Sequence, residues 1–292
     1  MTDLTTDVPA RRSTASTSVR RFDIGGILLG ILTIICAVVW FFPVYWAVIT
    51  SLRSDDEAIK NMGLLPANPT IEGYIYEIVN SNLPIWYLNS TIVSVSVTVI
   101  AVFMAACCGY AISQLRFPGR TLLWWIILAS FMIPVPALIV NHFIIIASTK
   151  LLNSYPGIIL PMLITPVTVI VYKQFFDSLP RDFREAALVD GANEFQLLFR
   201  LFLPMNWGVT TALAIITFIG AWNSFLWPFL AAQNERMMTV TVGITAVQDA
   251  FGVYYGRLMA GAVLAGLPVA VAYLLFQRRV TQAITLSAGI KG

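Results

Sequence analysis

The chain has 292 residues, of which 58% are hydrophobic and only 11% are charged, and its mean hydropathy is +0.79. A soluble domain carries about 25% charged residues, so these charges are too few to cover a water-facing surface, which excludes an ordinary soluble protein. The net charge of +3 gives no reason to expect nucleic acid as a partner. The three cysteines lie inside apolar runs, so neither a disulfide framework nor a Cys/His metal site is expected.

The N-terminal 23 residues are rich in Ser, Thr and Arg and offer little apolar surface to bury. This composition predicts a disordered tail over residues 1–23. The apolar run that follows Arg20-Arg21 is too long for a signal peptide, and no A-x-A-like cleavage site comes after it. We therefore expect an uncleaved first span and one transmembrane domain over residues 24–292.

Six apolar runs approach the roughly 20 residues that a helix needs to cross a bilayer. They predict an all-α membrane protein with six transmembrane helices. In chain order the runs are Ile24–Ile49, Leu88–Ser113, Leu122–Ala147, Pro156–Phe176, Trp207–Leu230 and Leu258–Phe276. Prolines inside the last four runs predict kinks, because each removes a helical hydrogen bond.

The basic residues indicate the orientation of these spans. If the N-terminus is inside, 13 of the 18 Lys and Arg residues fall in inner segments and five fall in outer loops. Cytoplasmic segments carry the excess of Lys and Arg, so both termini are expected in the cytoplasm. The outer loops, at about residues 50–87 and 231–257, are long enough to meet a partner.

The inner loop over residues 177–206 is the main polar insert, and its pattern predicts two short helices. Pro180 suits a helix start, and Asp182 with Glu185 has capping-box spacing. Asp190-Gly191 breaks this helix, because Gly accepts the left-handed conformation that ends one.

A second helix is predicted directly after this break. Asn193 and Gln196 repeat the capping-box spacing, apolar residues follow at helical intervals, and Leu203-Pro204 is expected to end the helix. We call the resulting helix–turn–helix over residues 177–206 the elbow.

The order Glu-Ala-Ala, Asp-Gly-Ala, a Phe-rich stretch and Leu-Pro resembles the EAA loop of permease subunits in binding-protein-dependent ABC importers. The similarity runs from about Trp40 to the end and is closest to the shorter, six-span permease of the maltose-type carbohydrate pair. Further matching motifs are Phe42-Pro43, Ser51-Leu52-Arg53, Leu88-Asn89-Ser90, Gly109-Tyr110-Ala111, Phe117-Pro118-Gly119-Arg120, Met132-Ile133-Pro134, Ala221-Trp222-Asn223 and Ser287-Ala288-Gly289-Ile290-Lys291-Gly292.

The resemblance implies a type I ABC importer permease-like fold in the bacterial cytoplasmic membrane. It also implies that the elbow docks into a cleft of a cytoplasmic ATPase, where Glu185 meets positive or donor groups and Gly191 sets the bend. The residues implied in this coupling are Glu185, Ala186, Ala187, Asp190, Gly191, Ala192, Phe195, Phe199 and Pro204. An ordinary amphipathic interfacial helix with basic flanks is the alternative interpretation of the same residues.

The resemblance further implies several partners: a second permease, a dimer of ATP-binding subunits, an extracytoplasmic solute-binding protein and the sugar, within membrane lipid. The chain has no G-x-x-x-x-G-K-[ST] phosphate loop, so ATP and Mg are expected on the ATPase subunits, with no cofactor or metal on this chain.

Uncharged spans favour a neutral, hydroxyl-rich solute, since apart from His142 their cores hold no ionisable side chain. Trp222-Asn223-Ser224 in the middle of the fifth run, and Asn141 in the third, combine aromatic faces with hydrogen-bonding groups as sugar contacts do. Hydrogen bonding between membrane helices explains these residues equally well. For His142 a packing role is favoured over contact with substrate.

Two other classes of protein were considered. An ion-coupled secondary carrier acting without an ATPase is disfavoured by the charge-poor spans and the lack of a clear inverted repeat. An intramembrane enzyme would need a nucleophile with a base or a set of metal ligands, and the single histidine has no carboxylate near it in the spans.

Overall fold

The computed structural model describes residues 24–60, 63–246 and 254–287, with side chains for 25–60, 63–245 and 254–277. The tail predicted over residues 1–23 lies outside this range. Every regular element in the described residues is helical, in agreement with the all-α prediction. The chain divides into one unit that ends at Tyr45 and a second that begins at Trp46, and each is described by itself.

Helix α1, Ile24–Ser51, contains the whole described part of the first unit. Its apolar side chains from Ile27 to Val44 are largely exposed, and the rings of Phe42 and Tyr45 lie 6.5 Å apart. An apolar surface of this kind suits contact with lipid or with another membrane subunit.

The second unit begins with the end of α1 and two short helices, α2 at Asp55–Lys60 and α3 at Glu72–Val79. They lie in the segment predicted as the first outer loop. Helix α3 packs closely on a long C-terminal helix, because a Cβ on Gly73 would lie 3.2 Å from the carbonyl oxygen of Gly256.

Helix α4, Leu83–Gln114, is continuous over 32 residues and packs against several other helices of the second unit. It begins earlier than the predicted second run. Gly109 permits close contact with helix α8, Pro166–Asp177, because a Cβ there would lie 2.7 Å from the Cβ of Tyr172.

The third and fourth apolar runs are each broken. Helix α5, Arg120–Phe131, is followed by a 3-10 turn at Val135–Leu138 and by α6, Ile139–Ser148, at an angle of 99°. Next come α7 at Tyr155–Ile159, a 3-10 turn at Leu160–Leu163 and then α8, with a bend of 47°. Both breaks lie beside prolines, so the kinks predicted in these runs are confirmed.

The segment predicted as the inner loop contains α9 at Arg181–Val189, α10 at Glu194–Gln196, a π-helical turn at Leu197–Phe202 and α11 at Leu203–Met205. Helix α12, Trp207–Trp222, follows at 84° to the preceding segment.

The predicted fifth span, Trp207–Leu230, is wrong in its second half. Helix α12 ends at Trp222, and a separate helix α13 covers Leu226–Ala231. The Trp-Asn-Ser sequence therefore lies at a helix end rather than in the middle of a span. The break contains the polar residues Asn223 and Ser224, but apolar residues continue on both sides of it, so hydropathy averaged over the run does not reveal it.

The segment after α13, predicted as the second outer loop, is also partly helical. It contains a 3-10 turn at Glu235–Met237, helix α14 at Val240–Gly243 and a second 3-10 turn at Ile244–Ala246. Helix α15, Tyr255–Ser287, then runs without interruption past Pro268.

In the described residues three helices are long and apolar enough to cross a membrane: Gly25–Ser51, Leu83–Gln114 and Tyr255–Gln277. Each of three bent pairs of helices also passes as one span, which raises the number to at most six. The predicted number of six equals this upper value, but one of the three bent pairs joins Glu194–Met205 of the elbow to α12 and does not include α13.

Candidate functional site

The first helix of the elbow is as short as predicted but begins differently. Its N-cap is Pro180, which has no side-chain cap, so the predicted capping box of Asp182 with Glu185 is wrong. At its other end Gly191 has φ +82°, and its N–H donates to Leu188 while the N–H of Ala192 donates to Ala187. These two bonds form a Schellman motif, which confirms that Gly191 ends the helix.

The second helix starts where predicted but continues further. The side chains of Asn193 and Gln196 each accept a backbone N–H from the other residue at 2.9 Å, a complete capping box. Leu203-Pro204 does not end this helical segment, which continues to Met205. Proline has no N–H for the carbonyl four residues earlier, and the preceding π-helical turn accommodates that loss.

A chain of polar contacts fixes the elbow to α4. The guanidinium of Arg184 donates to one carboxylate oxygen of Glu194 at 2.6 Å, and the hydroxyl of Tyr110 donates to the other. Tyr110 is buried, and Phe176 and Phe202 contact its ring edge-on. The two helices of the elbow are thus joined to each other and to a long apolar helix by one carboxylate.

Beyond this attachment the elbow presents an exposed surface. Glu185, Ala186, Asp190 and Gly191 are exposed, and Phe195 is 75% exposed. Val189 is 87% exposed as well, and several exposed apolar side chains rimmed by polar residues are a feature of protein interaction sites.

The remaining residues predicted to couple are divided between this surface and the protein's own packing. Ala187 and Ala192 are half-buried, Pro204 is exposed, and the ring of Phe199 stacks on Phe103 at 6.0 Å. Ala187, Asp190, Gly191 and Ala192 line one cavity of about 420 Å³.

The residues predicted to contact substrate differ in their surroundings. Trp222 is buried, its indole N–H donates to the carbonyl of Ala265 at 3.1 Å, and its ring packs on Tyr87 and Phe218. These contacts are of the helix-packing kind. His142 likewise packs edge-on against Trp227.

The polar residues near Trp222 are more accessible. Asn223 is exposed at the C-cap of α12, and Ser224 is half-buried and accepts the hydroxyl of Thr241 at its carbonyl oxygen. Asn141 is exposed on α6 and shares no described hydrogen bond with residues 222–224. Asn223 and Asn141 therefore keep free polar surface in this chain.

Sequence reasoning missed a buried polar centre at Asn89. Its amide nitrogen donates to the carbonyls of Arg236 and Met238 at 2.8 and 2.9 Å, and its oxygen accepts the hydroxyl of Tyr155 at 2.7 Å. The adjacent Ser90 accepts the N–H of Val240. These bonds hold the segment after α13 on the N-terminal part of α4. The sequence signals were an Asn inside an apolar run and the family-like motif Leu88-Asn89-Ser90, but neither predicts the distant partners of Asn89.

A family model described as "Binding-protein-dependent transport system inner membrane component" matches residues 98–286. This is more than half of the chain, and the chain belongs to that family. It is accordingly a multi-pass membrane protein and a permease subunit of the ABC-importer class.

Several characterised relatives align over nearly the whole chain. The diacetylchitobiose uptake system permease protein NgcG of Streptomyces coelicolor is 33% identical over 93% of this chain and 90% of its own length. The arabinooligosaccharides transport system permease protein AraQ of Bacillus subtilis is 28% identical over 93% and 98%. The sn-glycerol-3-phosphate transport system permease protein UgpE of Yersinia pestis is 32% identical over 85% and 92%.

Solved structures share the fold. A chain from a bacterial ABC transporter involved in the import of the acidic polysaccharide alginate has a TM-score of 0.80 at 21% identity, covering 87% of this chain and 96% of that chain. A chain from an alginate transporter in complex with its alginate pentasaccharide-bound periplasmic protein has a TM-score of 0.64 at 16% identity, covering 88% and 97%. At these identities the likeness establishes the fold alone.

Proposed function

We propose that this chain is the transmembrane permease subunit of an ATP-driven importer for a neutral di- or oligosaccharide. Membership of the permease family and relatives named for oligosaccharide transport support this proposal. The chain would form part of the translocation path by alternating access, with both termini in the cytoplasm. ATP and Mg would be bound by separate ATPase subunits.

The observation that carries the coupling role is the construction of the elbow. Its base is fixed to α4 through Arg184, Glu194 and Tyr110, whereas Glu185 and Phe195 are exposed beyond that base. A segment that is rigid at its base and exposed at its tip can transmit displacement from a docked subunit to the membrane helices. In this role Glu185 meets a donor group of the ATPase and Phe195 is buried on docking.

Substitution of Gly191 by a bulky residue tests this coupling. No atom lies within 4 Å of a Cβ placed on Gly191, so its positive φ is the main obstacle to a side chain. Gly191→Leu is expected to alter the turn and to reduce both retention of the ATPase subunit and ATP-dependent uptake by the reconstituted complex. Gly191→Asn is the conservative variant, because Asn tolerates the left-handed conformation, and it should retain both.

Gly119→Leu is the matched control for backbone strain. Gly119 has φ +84° and equally open surroundings, but it lies in another turn. If Gly191→Leu keeps normal ATPase retention and uptake, the coupling proposal is wrong. Equal losses in both Leu variants would attribute the effect to general strain instead.

A second permease, an ATPase dimer and an extracytoplasmic solute-binding protein complete the proposed importer. Support for the last partner is the related fold in a transporter solved with its periplasmic protein. In this chain the outer segment that Asn89 holds on α4 is a surface suited to such a partner.

The neutral character of the substrate is proposed because the middle of the spans holds no ionisable side chain apart from His142. Relatives named for sn-glycerol-3-phosphate and sulfoquinovosyl glycerol make anionic solutes the competing possibility. Uptake of a radiolabelled neutral oligosaccharide, with neutral and phosphorylated sugars as competitors, separates the two. Stronger competition by the phosphorylated sugars would contradict the proposal.

The residues that we propose to line the translocation path are Asn223, Ser224 and Asn141. Trp222 is proposed to hold them in position. Accessibility of Asn223 and Asn141 favours them as groups that bind sugar hydroxyls. Asn223→Ala is expected to lower uptake without lowering the amount of assembled complex. If uptake is unchanged, only the helix-packing interpretation remains.

A further inference from the structure

A second cavity, of about 870 Å³, borders the first helix of the elbow and is lined by the ends of several helices. The end of α4, the turn that leads into α5, the end of α8 and the first helix of the elbow all contribute residues to it. Of the residues that line this cavity, only Glu185 also belongs to the proposed coupling surface.

Four arginines line this cavity: Arg116, Arg120, Arg181 and Arg184. Arg120 donates to the carbonyls of Leu115 and Ser113 at 3.2 and 3.1 Å, which places its charge at the C-terminal end of α4. Arg116 and Arg181 are exposed and form no salt bridge with another side chain in the described ranges.

The three carboxylates of the lining do not balance these charges. Asp177 accepts the hydroxyl of Ser113 and pairs with Lys173, a residue outside the lining. Glu194 is occupied by Arg184 and Tyr110. Only Glu185 is left to oppose Arg116, Arg120 and Arg181, so the cavity carries a surplus of two positive charges.

The aromatic residues nearby indicate that the cavity is at the level of the membrane interface. Trp124 and Trp125 follow Arg120 by about one turn of α5; the ammonium of Lys173 lies 4.7 Å from the centroid of the Trp124 ring, and Trp125 is 63% exposed. Tryptophans gather at the depth of lipid headgroups. The cavity also lies where three apolar helical segments end or begin, which is where headgroups meet the protein.

We propose that this cavity binds the phosphate of an anionic phospholipid headgroup through Arg116 and Arg181, with Arg120 at its base. Guanidinium groups bind phosphate oxygens through two parallel hydrogen bonds, and basic pockets between spans suit anionic headgroups. A bound headgroup would neutralise the surplus charge beside the attachment of the elbow. The site depends on the membrane interface and not on the coupling proposal.

The test measures lipid retained by the full-length protein, purified with whatever subunits accompany it, in nanodiscs of phosphatidylcholine with or without phosphatidylglycerol. Wild type is expected to retain phosphatidylglycerol after exchange into pure phosphatidylcholine. The double variant Arg116→Gln/Arg181→Gln should lose it by about thirtyfold, from about fivefold for each cationic side chain. Arg200→Gln is the matched control, because Arg200 is exposed on the same elbow but outside this cavity.

Equal retention of phosphatidylglycerol by the double variant and wild type would overturn the proposal. A thermal shift produced by inorganic phosphate in pure phosphatidylcholine, with none from phosphatidylglycerol, would assign the site to a soluble phosphate and reject the lipid. Loss of ATPase retention with unchanged lipid content would mean that the arginines bind an acidic surface of that subunit. Failure of the coupling proposal is read separately, from Gly191→Leu, which leaves the arginines in place.

Discussion

Glu77 is a buried carboxyl on α3, and its position has a consequence for stability. Neither of its carboxylate oxygens has a hydrogen-bond partner among the described atoms, and its carboxyl lies 3.7 Å from the position of a Cβ on Gly261. Burial raises the pKa of Glu77 above its ordinary value of 4.5; the charge of the Arg257 guanidinium lowers it by less, and the neighbouring Asp55 raises it further.

The sign of the pH dependence follows from that shift. A carboxyl whose pKa is raised by folding binds more protons in the folded state, so stability falls as pH rises above 4.5 through the folded pKa. Glu77→Gln is therefore expected to raise the melting temperature at about pH 8 and to weaken its dependence on pH.

Glu72→Gln is the control for this prediction, since Glu72 is exposed on the same helix. It should leave the melting temperature of the detergent-solubilised protein nearly unchanged at both pH values. If Glu77→Gln melts lower than wild type at neutral pH, the carboxyl is stabilising and the prediction is wrong.

Close packing at Gly109 gives a second prediction. A methyl group there would meet the Cβ of Tyr172 at 2.7 Å and the backbone nitrogen of Lys173 at 3.1 Å, both in α8. Because backbone and Cβ atoms cannot move aside cheaply, Gly109→Ala should destabilise the protein by about 1–3 kcal/mol. Gly208→Ala, where no atom lies within 4 Å, should change stability by less than about 0.5 kcal/mol. Thermal unfolding in detergent compares the two.

At the scale of the element, the attachment of the elbow can be loosened without removing its exposed tip. Glu194→Gln removes the charge that Arg184 pairs with, and the pair is partly exposed, so its loss should cost about 0.2–1 kcal/mol. Hydrogen exchange of residues 181–196 should accelerate by up to about fivefold, while the end of α4 changes little.

Glu185→Gln is the comparison that separates attachment from docking. Glu185 is exposed and takes part in none of the described attachment contacts. We expect this variant to weaken ATPase retention while hydrogen exchange in the elbow stays at the wild-type rate. The attachment would be assigned to the wrong carboxylate if hydrogen exchange in the elbow were faster than wild type in Glu185→Gln, or no faster than wild type in Glu194→Gln.

The elbow also shows which elements a sequence can specify. The left-handed turn at Gly191 and the box of Asn193 with Gln196 were predictable because each depends on residues within five positions of one another. The role of Glu194 was not, because its partner Tyr110 is 84 residues away in the chain. Pro204 was wrongly predicted to end the helix, because its missing N–H usually does so. Here the preceding π-helical turn, which has no simple sequence signal, accommodates the missing N–H.

The membrane spans show what hydropathy could not predict. Hydropathy located every apolar run, but it could not reveal that the fifth is broken after Trp222, since the residues on both sides are equally apolar. The indole of Trp222 bonded to Ala265 and the Asn89 centre are contacts between distant segments. Such contacts determine where the chain bends, and they cannot be read from composition.

For the whole molecule, the distribution of basic residues predicts how the chain is oriented in the membrane. With 13 of 18 basic residues on one side, the elbow should face the cytoplasm and the segment with α2 and α3 should face outward. Every proposed partner depends on this, because an ATPase and a solute-binding protein act on opposite faces of the membrane.

Two single-cysteine variants test the orientation in intact cells. In a background with Cys36, Cys107 and Cys108 replaced by Ala, Asn68→Cys and Asp182→Cys introduce exposed thiols on the outer segment and on the elbow. A membrane-impermeant maleimide should label the first in intact cells and the second only after permeabilisation. The reverse pattern would put the elbow outside, where no ATPase can dock. Labelling of both thiols without permeabilisation would mean that the maleimide reaches the inner face through the protein, so that the spans do not form a closed barrier.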